Sequence, residues 1–235
     1  MKRLKVMLFF ILLSMSFHII NCLSIIEIRA NELISAKEDD DFVIKDGILT
    51  KYKGEGGDVV IPEGITAIGP HVFSNNKKIT SVTLPHTVSS IGASAFRGCE
   101  NLKIVKMSDS VSSIGYMAFW NCKNLSEIST LDGVTTIGSS AFDLTPWIEN
   151  KRAENPLVII NGNLIDGRNC TGDVVIPDSV NTIVGEAFGF NKEITSVIIP
   201  DSVISIEADA FVYCSSLVNV RMGNSITSIG EEAFA

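Results

Sequence analysis

The side chains best suited to covalent or proton-transfer chemistry are three cysteines, Cys99, Cys122 and Cys214, and two histidines, His71 and His86. Cys99 and Cys122 are 23 residues apart, and Cys214 lies four such steps further on. A zinc or redox site wants C-x-x-C spacing, which no pair here has. His71 and His86 fall at different phases of the same 23-residue spacing, so they belong to different faces of whatever repeats. Serines that could be assembled with a His and an Asp into a triad recur by period, whereas a nucleophile needs one special place. A Gly-rich phosphate loop and a clustered His/Cys/Asp ligand set are both missing from the sequence. The chain therefore reads as a non-enzyme, with no catalytic, cofactor-binding or metal-binding residue and no cofactor.

The cysteine spacing belongs to the whole chain. Ile-x-x-x-x-Phe recurs with phenylalanines at 73, 96, 119, 142, 188, 211 and 234, and every gap is 23 residues except one of 46. A period of this length marks a solenoid, in which each repeat is one coil that buries its apolar face only by stacking on the next. In the unit from Asn101 to Lys123, Val105 and Met107 alternate as a strand requires, with Leu102 on the same inner side. A turn follows, marked elsewhere by Pro62, Pro85, Pro177 and Pro200. Val-x-x-Ile (Val111/Ile114 here) then makes a second short extended segment. Gly115 punctuates it, and Ala118-Phe119 is expected on about one turn of helix that closes the coil. Neighbouring coils should lie about 4.8 Å apart, with the phenylalanines in a single internal column.

Stacked coils line up their outward positions. One row reads Thr83, Lys106, Ser129, Ile198, Arg221, and the next reads Ser81, Ile104, Glu127, Ser196, Asn219. Mixed polar and apolar side chains suit a protein partner, so Thr83, Lys106, Ser129, Ile198, Arg221, Ile104, Glu127 and Asn219 are the candidate contacts; a merely solvated sheet face is the competing reading. The second extended segment carries Ser89-Ser90, Ser112-Ser113, Thr135-Thr136 and Thr227-Ser228, a hydroxyl ladder that could meet glycans or simply suit an exposed strand. Trp120 and Trp147 are the large aromatics that could anchor a partner. Cys99 and Cys122, on adjacent coils, are within reach of a disulfide. Asn and Thr occupy the same repeat position in other coils, which favours a small buried plug instead.

The period breaks once, and the break is a copy: residues 157–188 match 42–73 at an offset of 115 residues, five periods of 23. Gly57-Asp58-Val59-Val60-Ile61-Pro62 returns as Gly172-Asp173-Val174-Val175-Ile176-Pro177, and Asp46-Gly47 and Asn161-Gly162 are hairpin-turn signals. Before these coils, Lys2, Arg3 and Lys5 precede an apolar run from Val6 to Ile20, the pattern of a secretory signal peptide and too short to span a bilayer. Ser24 offers small residues at the last and third-last positions of a cleavage site, with Cys22, while Ala30 and Ala36 offer only the last, and Asn21 before Cys22 argues against a lipoprotein site. The resulting organisation is a signal peptide at 1–30, an acidic spacer and hairpin at 31–57, repeats at 58–145, an irregular long repeat with a hairpin at 146–172, and repeats again at 173–235, ending inside a coil. The excess of 27 acidic over 19 basic residues disfavours nucleic acid as a partner.

The run Val88-Ser89-Ser90-Ile91-Gly92-Ala93-Ser94-Ala95-Phe96-Arg97-Gly98-Cys99, with Ile199-Pro200-Asp201-Ser202-Val203 and Ala210-Phe211-Val212-Tyr213-Cys214, resembles the BspA-type leucine-rich repeat of secreted and surface proteins. The resemblance runs from about Asp58 to the end of the sequence. It implies an α/β leucine-rich-repeat solenoid of 23-residue coils, with parallel β-sheets and short helical turns. It also implies an extracellular or cell-surface place and adhesion to a protein partner, such as host extracellular matrix or another cell. A spacer without a ligand of its own and a glycan-binding module are the other readings it leaves open.

Overall fold

The computed structural model describes residues 41–235. The leader and most of the acidic spacer lie outside the described residues. An antiparallel hairpin of β1 (Phe42–Lys45) and β2 (Ile48–Tyr52) starts the stack. It turns on Asp46 and Gly47, both in the left-handed region at φ 52° and 77°, which a two-residue hairpin loop demands.

Each following coil has three sides. The first carries the longer strands β3 (Gly57–Val60), β5 (Ile79–Thr83), β7 (Ile104–Lys106) and β9 (Glu127–Ile128), which pair in parallel in that order. The second carries two-residue strands, β4 (Ala67–Ile68), β6 (Ser90–Ile91), β8 (Ser113–Ile114) and β10 (Thr136–Ile137), which extend a sheet beginning with β1 and β2. After β10 come α1 (Pro146–Glu154) and a second hairpin, β11 (Val158–Ile160) and β12 (Asn163–Asp166). The coils then resume, with β13 (Gly172–Val175), β15 (Ile194–Ile198) and β17 (Asn219–Arg221) on the first side. On the second side β14 (Thr182–Ile183), β16 (Ser205–Ile206) and β18 (Ser228–Ile229) follow β12.

The third side, which carries Ala-Phe, is built from turns and holds no helix. Met117 and Asn121 flank Phe119 at φ 52° and 59°, and the same two positions are left-handed in other coils, at His71 and Asn75 or Asp209 and Tyr213. With those residues out of the helical region, the N–H groups turn outward along the stack: Met117, Phe119 and Asn121 donate to the carbonyls of Ser139, Ala141 and Asp143. A third inter-coil ladder replaces the expected turn of helix, and α1 is the one complete α-helix among the described residues. Gly115 begins this side and lets the coils close up, because a Cβ there would lie 2.6 Å from the amide nitrogen of Ala93.

The phenylalanines stack face to face in two runs. Phe73, Phe96, Phe119 and Phe142 have centroids 4.9, 5.2 and 5.7 Å apart and planes within 6° of parallel. Tyr52 covers one end of this run and Trp147 of α1 the other. Phe188, Phe211 and Phe234 form the second run, at 4.7 and 4.9 Å. The expected single column is thus divided at the insert, as is the core around it. Gly167 stands where the first copy has Tyr52, and a Cβ on it would come within 2.2 Å of the Phe188 ring, so that ring packs on bare backbone.

The insert is held by charge. Arg152 of α1 donates to both carboxylate oxygens of Asp166, which is wholly buried. Arg168 also donates to Asp166 and grips both oxygens of Asp143. The Ser140 hydroxyl donates to Glu186 at 2.6 Å and lies 3.0 Å from an Asp143 oxygen, tying the last coil before the insert to the first full coil after it. Burial pushes the Asp143 carboxyl up, but Arg168 outweighs it and holds the group below the usual carboxylate range.

Candidate binding face

Alternation along the first-side strands turns Val82, Val105 and Val197 into the core and their neighbours outward. Strand pairing then sets the outward residues in rows. Ser81, Ile104 and Glu127 are successive cross-strand partners, and Thr83 pairs with Lys106. In the later sheet Ser196 pairs with Asn219 and Ile198 with Arg221. The spacing of 23 therefore does place these candidate residues side by side. Their rows do not run on from one half to the other. β9 ends the first sheet, the Trp147 N–H of α1 bonds the Leu125 carbonyl at 2.9 Å, and β13 begins a separate sheet.

Ser129 differs from its row. It lies just past β9, and its hydroxyl accepts from the Met107 N–H and donates to the Met107 carbonyl, at 2.9 and 2.7 Å. Two further outward residues extend the rows and escaped the sequence reading. Val60 pairs with Thr83 and Val175 with Ile198, and they are 51% and 63% exposed. Their signal was available in Gly-Asp-Val-Val, whose first Val points in and whose second must point out. The Asp of that motif is used within the sheet: Asp58 accepts from Thr80 and Ser81, and Asp173 from Thr195 and Ser196. Hydrogen bonds from Ser81 and Thr80 hold the Asp58 carboxyl below its ordinary range.

Beside Ile198 and Arg221 the turn between the first and second sides opens into a groove of about 600 Å³, bordered by Asp178, Ser202, Met222 and Asn224. Thr87 and Ser110, which hold the repeat position of Ser202 in the first half, donate to the carbonyls of Ile65 and Val88. The Ser202 hydroxyl has no partner among the described residues.

Other candidates resolve into structure. Hydroxyls of Ser89, Ser112, Thr135 and Thr227 each donate to the carbonyl of the residue 23 positions earlier, so the first hydroxyl of each pair in that ladder joins coils. Cys99, Cys122 and Cys214 are free, buried thiols, donating to the carbonyls of Phe73, Phe96 and Phe188. They are plugs rather than a bridge. Cys170 is also free, and buried despite its polar sequence context. Asn191, at the plug position, donates to three carbonyls of the insert, and Thr145 at that position caps α1 by accepting from Ile148. Arg97 lies over the Trp120 ring, 4.8 Å from its centroid. His71 sits on the third side, while His86 sits in the turn after β5, 3.4 Å from Glu63, so the structure keeps them apart. Among the described residues no group of three or more His, Cys, Asp or Glu is placed to hold a metal ion, and no helix is long and apolar enough to cross a membrane.

A stack of parallel-strand coils that presents rows of unlike side chains defines a repeat protein of the kind used as a structural or interaction module. The chain belongs to the family described as BspA type leucine rich repeat region, which matches residues 52–171 and 159–235 in six copies. Among solved structures it is similar to a leucine rich cell surface protein from Faecalibacterium prausnitzii, with 30% identity, 83% of this chain and 49% of that chain covered, and a TM-score of 0.48. It therefore spans about half the length of that protein. It is also similar to a T. pallidum leucine rich repeat protein (26% identity, 80% and 82% covered, TM-score 0.46). A leucine-rich repeat protein from Bacteroides ovatus shows 20% identity, 83% and 77% coverage and a TM-score of 0.40. No curated protein matches the sequence.

Proposed function

We propose that this protein is a secreted or cell-surface interaction module that binds a protein partner through the outward residues of its first side. One observation carries the reading: the cross-strand rows Ser81/Ile104/Glu127 and Val175/Ile198/Arg221 put polar, charged and exposed apolar side chains next to one another on a rigid sheet. Such a surface gains affinity from many modest contacts, with the best-desolvated ones dominating. The apolar pair Val175 and Ile198, flanked by Arg221 and the adjoining groove, has the composition of an interface centre. Thr83, Lys106, Ile104 and Glu127 form a second, more charged patch. Residues 58–145 and 173–235 act as the two binding segments, with the insert between them as a brace. The signal-peptide pattern at the N-terminus supports an extracellular place, as does the surface description of the F. prausnitzii relative.

The test is a solid-phase assay of the purified chain against extracellular-matrix proteins and carbohydrates. Saturable binding to a protein, weakened by Ile198→Asp or Lys106→Glu without loss of the folded state, supports the reading. Binding to none of them would leave a spacer, and binding to carbohydrate alone would replace a protein ligand by a glycan.

A further inference from the structure

The third side changes character between the two halves of the stack. Two residues after each core phenylalanine, the backbone is left-handed: Asn75, Gly98 and Asn121 hold that place in the first three coils, at φ 59°, 69° and 59°, and an exposed Leu144 in the coil that meets the insert, at φ 58°. Asn and Gly are the residues that tolerate it. In the coils after the insert the same place is held by Phe190 and Tyr213, at φ 63° and 56°. Their rings are 64% and 61% exposed and lie 5.2 Å apart at 38°. Bulky side chains here are strained, and burial does not repay the strain, since the rings face solvent. Strain of this kind is retained where a surface is used.

Two residues before each core phenylalanine, the first coils carry His71, Ser94, Met117 and Ser140, and the later coils carry Glu186, Asp209 and Glu232. Hydrogen bonds from Phe190 to Val212 and from Asp209 to Glu231 keep these coils in step, so the acids and the rings form two parallel rows beside the buried phenylalanines. Glu186 accepts from Ser140, but none of the three acids is ion-paired among the described residues. Charge follows the same division. Residues 173–235 hold nine acidic and two basic residues, against seven and six in residues 58–145, so nearly the whole net charge of −8 sits on this half. The first half also shows what such a surface accepts, for there Arg97 of the chain itself covers the Trp120 ring.

We infer that the third side of the coils around Phe190 and Tyr213 is a second docking surface, for an arginine- or lysine-rich segment of a partner protein. A guanidinium or ammonium group of the segment lies against the exposed rings while Asp209, Glu232 and Glu186 supply the opposite charge. This surface shares no residue with the strand rows of the first side and stands or falls independently of them.

The test uses the full chain and a fluorescent peptide of alternating arginine and serine, with a control in which every arginine is citrulline. Wild type should bind the arginine peptide at least about tenfold more tightly than the control, with affinity falling as salt rises. Phe190→Asn with Tyr213→Asn, which installs the residues of the first half, should weaken binding by about fivefold or more while leaving Tm unchanged or higher. Asp209→Asn with Glu232→Gln should weaken it comparably. The inference is overturned if the Asn pair binds like wild type, if that pair lowers Tm, if citrulline binds as well as arginine, or if these rings bind neutral oligosaccharides instead of the peptide.

Discussion

Arg152 donates to both oxygens of Asp166, at 3.0 and 2.6 Å, across the junction of α1 with the second hairpin. This contact and the matching grip of Arg168 fix an insert that the repeat itself does not specify. Asp166→Ala takes the buried carboxylate from two guanidinium groups, leaving Arg152 only the exposed Glu149 and Arg168 only Asp143, and should cost about 3 kcal/mol. Urea unfolding measures it. Arg152→Ala combined with Asp166→Ala should cost less than the two singles added together, and strict additivity would show that the pair is not coupled.

Asp143 makes stability pH-dependent. Its folded carboxyl titrates below the ordinary value of 3.8, so its contribution is fully present above that value and disappears as pH falls through the folded pKa. Wild type should lose stability below about pH 4 more steeply than Asp143→Asn, which should be less stable than wild type at neutral pH. Parallel acid-unfolding curves for the two proteins would contradict this role.

The interior column predicts where small changes hurt. Phe119, stacked on both faces and fully buried, should cost about 3–5 kcal/mol on replacement by Ala. Gly115→Ala adds one methyl group, yet it should destabilise clearly because the neighbouring obstacle is Ala93 backbone. Gly57→Ala, where the space is open but φ is 78°, serves as the comparison for left-handed strain alone. If Gly115→Ala is neutral, the coils are not packed as closely as described.

The plug cysteines should be inert. Burial pushes the Cys99 thiol up to about 12 and Cys122 higher still, so neither forms thiolate at neutral pH. Maleimide labelling of the native protein should leave both unmodified until denaturant is added, and mass spectrometry of the reduced and unreduced protein should find no Cys99–Cys122 bridge. Rapid native labelling of either thiol would place it at the surface.

Much of this was legible from the period. A spacing of 23 residues fixes which side chains share a row, because stacked coils convert sequence offset into neighbourhood, and Ile104 beside Glu127 follows directly. Secondary structure on the third side did not follow, since Ala and Met around the phenylalanines favour helix locally, whereas hydrogen bonds to the next coil hold Met117 left-handed. A single repeat contains no trace of that competition. The ion cluster was hidden for another reason: Asp143 comes from the last regular coil, while Arg152, Asp166 and Arg168 come from α1 and the second hairpin, outside the period. One signal did exist, in that the first copy has Lys51 and Tyr52 where the second has Asp166 and Gly167. A reversed charge and a lost ring between otherwise matching blocks mark the place where the second copy meets a neighbour of a different kind.

The central claim is that recognition is shared among coils along the first side. Affinity for a matrix protein that binds in the solid-phase assay should be measured for wild type, Lys106→Ala, Arg221→Ala and the double variant. Because the two residues lie in separate sheets, each single change should weaken binding severalfold, and their effects should multiply in the double variant. Undiminished affinity in all three variants would contradict the account, as would complete loss from one substitution with none from the other.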